Sequence, residues 1–170
     1  MLAEIAAAAV KELREKTGAG VMECRRALEE AGGNLEKATE ILRRQGLVGI
    51  QKRAERATSQ GTVDTYIHAG GRIGALVEVN CETDFVARHE EFRQLAHDIA
   101  MQVAATSPRY LSAEDVPPDT EENPKEVALL AQPFIKDPGR TIQDLVNEVA
   151  VKFKENVRVR RFARFELGAE

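Results

Sequence analysis

Along the first quarter of the chain, apolar residues recur at helical spacing. Leu2, Ile5, Ala6, Ala9, Val10 and Leu13 form one stripe, Cys24, Ala27, Leu28 and Ala31 a second, and Leu35, Ala38, Ile41 and Leu42 a third. Thr17-Gly18-Ala19-Gly20 ends the first helix, Gly32-Gly33 ends the second, and Asn34 offers an N-cap oxygen to the third. Residues 1–46 therefore read as a miniature three-helix bundle. At about 100° of turn per residue, Met22 falls opposite the second stripe, Arg25 is lateral and Val21 flanks the core, so Met22 is expected to be exposed. Residues 47–60 read as a basic, partly helical linker in which Gly46, Gly49 and Gly61 mark bends.

Beyond residue 60 the period changes to two. Val63, Thr65, Ile67 and Ala69 alternate with more polar neighbours, Gly70-Gly71 supplies turn chemistry, and Ile73, Ala75, Val77, Val79 and Cys81 alternate back as the hairpin partner. A long helix is predicted from Asp84 to about Thr106, capped by Thr83 or Asp84, with Phe92, Leu95, Ala96, Ile99 and Val103 inward. On such a helix Phe85 lies about two turns before Phe92, on the same stripe, so spacing alone reads it as core. Pro117, Pro118 and Pro124 interrupt an acidic connection, and Ser112–Asp115 and Thr141–Asp144 offer capping boxes. The second box opens a helix carrying Ile142, Leu145, Val146, Val149 and Phe153. A last strand follows, with Val157, Val159, Ala163, Phe165 and Leu167 on one face and Arg158, Arg160, Phe162 and Arg164 on the other. The fold class is α+β: a three-helix bundle at 1–46, a linker at 47–60, and at 61–170 a small antiparallel sheet with helices packed on one side.

With 170 residues, 43% hydrophobic and 31% charged, and a net charge of −4, the composition is that of a soluble globular protein. No apolar run approaches the roughly 20 residues of a membrane span, and the acid in Met1-Leu2-Ala3-Glu4-Ile5 disfavours a secretory signal. The expected location is cytoplasmic. Cys24 and Cys81 sit at apolar-periodic positions without a Cys or His neighbour and read as buried, reduced thiols. Basic residues gather at Arg43, Arg44, Lys52, Arg53 and Arg56 and again from Lys152 to Arg164. Nucleic-acid binding is disfavoured because the chain as a whole is acidic and no stacking aromatics are interleaved with those charges.

Reactive constellations fail on spacing. His89-Glu90-Glu91-Phe92-Arg93 has Arg93 where a zinc-protease helix needs its second ligand. Gly18-Ala19-Gly20-Val21-Met22-Glu23 lacks a third glycine and follows a helix, not the strand of a dinucleotide loop. No phosphate-cradling Lys-Ser or Lys-Thr loop occurs, the serines form no nucleophile elbow, and His68, His89 and His97 are scattered. The sequence thus predicts no enzyme, no catalytic residue, no metal, no cofactor and no direct nucleotide binding.

Three motifs carry a resemblance. Thr17-Gly18-Ala19-Gly20-Val21-Met22-Glu23-Cys24-Arg25-Arg26-Ala27-Leu28, Cys81-Glu82-Thr83-Asp84-Phe85-Val86-Ala87 and Glu155-Asn156-Val157-Arg158-Val159-Arg160-Arg161-Phe162 stand in the order seen in the elongation factor Ts family, which the chain resembles. That family comprises exchange factors that accelerate GDP release from the GTPase elongation factor Tu. The resemblance implies a ubiquitin-associated-like fold for the first 46 residues, and a partner in its GDP-bound and nucleotide-free states. It also implies that Asp84, Phe85, Val86 and Ala87 displace the partner's Mg²⁺, and that Arg14, Val21, Met22 and Arg25 bind its nucleotide-binding domain. It makes Phe85 an outward wedge, against the reading from spacing.

The chain departs from the family pattern in three places. The segment between Pro117 and Gln132 is short, Lys154 stands where Gly is usual, and Ala163 leaves no C-terminal thiol for an intersubunit disulfide, so a homodimer stays open. Two other functions compete: an RNA- or tRNA-binding accessory protein using Arg158, Arg160, Arg161 and Arg164, and a ubiquitin-type adaptor built on residues 1–46.

Overall fold

The computed structural model describes residues 5–119 and 121–169; Leu2 of the first stripe, and residues 1–4 of the N-terminal stretch whose acid disfavours a secretory signal, lie outside them. The chain divides into two compact units between Ala54 and Glu55.

The first unit holds α1 (Ala7–Thr17), α2 (Val21–Glu30) and α3 (Leu35–Arg53). Its core is Leu13, Cys24, Ala27, Leu28, Ala38, Ile41 and Leu42, the inner positions of the three stripes, with Ile5, Ala9, Val10 and Leu35 packed against it. Gly18 closes α1 in the left-handed conformation and donates to the Arg14 carbonyl, while the Asn34 side chain accepts from the Lys37 N–H to open α3. Gly46 and Gly49 lie inside α3 instead of bending the chain. A glycine costs a helix roughly 1 kcal/mol relative to alanine but removes no hydrogen bond, and Lys52 and Arg53 suit the helix C-terminus.

The second unit is an antiparallel sheet of β1 (Gln60–Ile67), β2 (Ile73–Cys81) and β5 (Arg158–Glu166), in the order β1-β2-β5. Gly70 and Gly71, both at positive φ, form the β1–β2 turn. Helix α5 (Glu90–Thr106) lies on one face of the sheet, touching all three strands, and α7 (Ile142–Phe153) packs on α5. Between these helices run the one-turn α6 (Pro124–Val127) and a ribbon of β3 (Pro133–Phe134) and β4 (Asp137–Thr141). Both capping boxes form: Ser112 exchanges bonds with Asp115, and Thr141 with Asp144. Buried Gln102 ties the ribbon to α5, donating to Gln132 Oε1 and the Pro133 carbonyl and accepting from the Ile135 N–H.

Three expectations change. The helix predicted from Asp84 is broken: α4 (Asp84–Ala87) is a single turn, and α5 starts afresh with His89 as its N-cap, Nδ1 accepting from the Glu91 N–H. Phe85 and Phe92 therefore share no stripe; Phe92 is fully buried and Phe85 is 73% exposed.

The last strand changes phase midway. Val159 pairs with Val79 and Arg161 with Glu78, so Arg160 is an extra residue, a β-bulge that exchanges the two faces of the strand beyond it. Val157 and Val159 face the core as expected, whereas Ala163, Phe165 and Leu167 turn to the opposite face from them; Phe165 and Leu167 are exposed. Arg164 turns toward α5, where its Nε donates to the Ala104 carbonyl. In β1, Val63, Thr65 and Ile67 lie on the side away from α5. Asp64 and Tyr66, on the helix side, meet His97 of α5.

Candidate functional site

The turn holding Phe85 begins where β2 runs out. Cys81 is fully buried, its thiol donates to the Thr83 carbonyl, and burial together with the Glu155 carboxylate pushes its pKa up to about 11. Thr83 caps α4, its Oγ1 accepting from the Val86 N–H at 3.4 Å. Val86, 2% exposed, pins the turn to the sheet, so the neighbouring Phe85 ring points to solvent. Asp84, also exposed, pairs with Arg88 at 2.9 Å. Such a surface pair is worth at most about 1 kcal/mol and can be given up to a partner.

Two of the three motifs meet here. The Glu155 carboxylate accepts from the Glu82 N–H at 3.0 Å, the Thr83 N–H at 3.1 Å and the Thr83 hydroxyl at 2.6 Å. Glu82 answers by accepting from the Asn156 N–H at 2.6 Å and pairing with Arg56 at 3.5 Å. Spacing carries no hint of this exchange, because its members lie more than 70 positions apart; the motif Glu155-Asn156 is the one signal in the sequence.

In the first unit, Arg14, Val21, Met22 and Arg25 all reach solvent from the last turn of α1 and the first turns of α2. Met22 is 61% and Val21 51% exposed, and Arg25 pairs with Glu29 on its own helix. The helical-wheel position of Met22 agrees with this placement.

Of the sequence-predicted site residues, Asp84 and Phe85 are exposed together, Ala87 is half-buried and Val86 is buried. Val86 therefore holds the turn in place and offers no contact surface. The basic last strand is largely engaged within the fold. Arg161 and Arg160 both pair with Glu78, whose carboxyl the Arg161 hydrogen bond holds below the usual range, and Arg164 pairs with Glu166. The sequence did not reveal the open apolar sheet face opposite α5. There the register sets Val63, Thr65 and Ile67 of β1 beside Glu78, Leu76 and Gly74 of β2, and those beside Arg161, Ala163 and Phe165 of β5.

Among the described residues no group of three or more His, Cys, Asp or Glu converges as a metal site, and no helix is long and apolar enough to cross a membrane.

A family model described as elongation factor Ts matches residues 47–128. Similar proteins include elongation factor Ts of Carboxydothermus hydrogenoformans, 50% identical over 94% of this chain and 87% of the relative. Those of Moorella thermoacetica (50%, over 96% of each chain) and Finegoldia magna (47%, over 98% of this chain and 91% of the relative) are also similar. These matches put the protein in the class of translation elongation factors, which act in protein biosynthesis. More narrowly, the chain belongs to the elongation factor Ts family. The Finegoldia alignment extends over 205 positions, more than the 170 residues of this chain, so that relative carries residues that are missing here.

Proposed function

We propose that the protein is a guanine nucleotide exchange factor for elongation factor Tu in the cytoplasm, working by docking and not by covalent catalysis. The observation that carries this reading is Phe85, a large ring left in solvent on a turn whose neighbours are fixed by Val86 and Glu155. A side chain immobilised before contact loses little entropy on entering a partner. Asp84 and Phe85 then intrude beside the GTPase's magnesium and phosphate site, with Ala87 at the edge of the contact and Val86 as its internal anchor. Mg²⁺ in such a site is held by few protein groups plus phosphate oxygens. A small displacement of the surrounding elements therefore loosens the ion, and then GDP. Arg14, Val21, Met22 and Arg25, on a unit read as ubiquitin-associated-like, grip the nucleotide-binding domain. An adaptable thioether beside guanidinium groups suits such a face.

Linkage gives the reading its content. If the factor weakens GDP binding, GDP weakens the factor's binding by the same ratio. Titration with nucleotide-free and with GDP-loaded elongation factor Tu tests this; equal affinity for the two forms would refute exchange activity. Of the four arginines of the RNA-binding alternative, Arg164 is held within the fold by Glu166 and the Ala104 carbonyl, which weighs against it. The open face bearing Val63, Ile67, Leu76 and Phe165 supports a homodimer in which that face meets its own copy. Sedimentation velocity showing only monomer at tens of micromolar would remove it.

A further inference from the structure

We propose that Glu155 is a positioning residue for Phe85: its carboxylate sets the attitude of the Thr83–Ala87 turn, and through it the presentation of the ring. The inference rests on the reading of Phe85 as the wedge. Helix α4 is a four-residue turn with one buried side chain, Val86. A single helical turn has no stability of its own, so its orientation comes from the burial of Val86 against the sheet and from its flanks.

On the upstream side, Glu155 takes both backbone N–H groups of Glu82 and Thr83 and the Thr83 hydroxyl, while the Asn156 N–H returns a bond to Glu82. On the downstream side, the His89 ring meets Phe153 edge-on at 4.6 Å, and Lys152 forms an ion pair with Glu91. Every one of these partners lies in the short stretch Lys152–Asn156, where α7 ends and β5 is about to begin. That stretch grips the chain on both sides of Phe85, whose ring stays 73% exposed. Three donors converge on the Glu155 carboxylate, and charge-assisted bonds of this kind are the strong ones.

The alternative is a tie that stabilises the strand ends without influencing Phe85. Full-length Glu155→Ala and Glu155→Gln variants decide between the two, each also made with Phe85→Ala. They are assayed for release of fluorescent GDP from elongation factor Tu at saturating factor, and for amide hydrogen exchange at Glu82 and Thr83. Positioning predicts faster amide exchange and a fall of about tenfold in the maximal release rate for Glu155→Ala, with a smaller fall for Glu155→Gln. It also predicts that adding either change to Phe85→Ala slows release no more than about twofold further, because groups acting as one unit are not additive.

Unchanged amide exchange, an unchanged release rate, or fully multiplicative losses in the double variants would each overturn the positioning role. If Phe85→Ala slows release but the Glu155 variants do not, only that role falls. If Phe85→Ala itself has no effect, the wedge reading falls and takes the positioning role with it. Should Glu155→Ala fail to fold, Glu155→Gln carries the same comparison.

Discussion

Replacing Phe85 by alanine separates folding from function more cleanly than any other single change. A phenylalanine side chain presents about 200 Å², and at 73% exposure roughly 150 Å² of it lies in solvent, open to a partner. At about 25 cal/mol per Å² that area is worth about 3–4 kcal/mol on full burial, or about 3 kcal/mol once the retained β-carbon is discounted. This matches the scale of a central hot spot and corresponds to roughly a 100-fold effect. The remaining quarter of the ring already rests on the protein, so the loss in folding stability is held to about 1 kcal/mol. Stopped-flow release of labelled GDP from elongation factor Tu, with the variant's fold checked by urea unfolding, reads both numbers. A folded Phe85→Ala protein that accelerates release as well as the parent would refute the wedge. So would a variant that loses stability and activity in parallel, since the ring would then be acting as core.

Val86→Ala should lower unfolding stability by about 2 kcal/mol through the cavity it leaves and, by loosening the turn, weaken the folded fraction's affinity for the GTPase less than Phe85→Ala does; titration of the variant after correction for unfolded protein checks this. Gln102→Leu should cost about 3 kcal/mol in urea unfolding, because the Ile135 N–H and the Pro133 carbonyl lose their partner inside the protein. Lys154 closes α7 in the left-handed region at φ 56°, so Lys154→Gly should raise the unfolding midpoint by about 0.5–1 kcal/mol equivalent. Cys81 gives a pH signature. The thiol titrates near 9.0 when unfolded and at about 11 in the fold, so the folded state holds the proton more tightly. The stabilisation is complete below pH 9 and disappears as pH rises through 11. Cys81→Ala should flatten that part of the alkaline stability profile measured by thermal unfolding, and an unaltered slope would contradict the assignment.

Features that depend on near neighbours along the chain are legible from the residues alone. The three stripes of the first unit, the alternation of β2, the N-cap at Asn34, a cap at Thr83 or Asp84, and the boxes at Ser112 and Thr141 are set by spacings of two to four residues. The three motifs, being contiguous, carry the family likeness. Tertiary structure alone decides the rest. Nothing local marks Arg160 as the extra residue of β5, because a bulge exists only relative to a partner strand; yet it turns Phe165 outward and Arg164 inward. The open side of β1 is likewise fixed by which face α5 covers, a choice that alternation cannot make. Phe85 escapes the core because His89 restarts the helix and because Glu155, 72 positions along the chain from Thr83, fastens the turn before it. Periodicity follows from backbone geometry one turn at a time, whereas a tie between distant residues forms only when the sheet brings its two ends together.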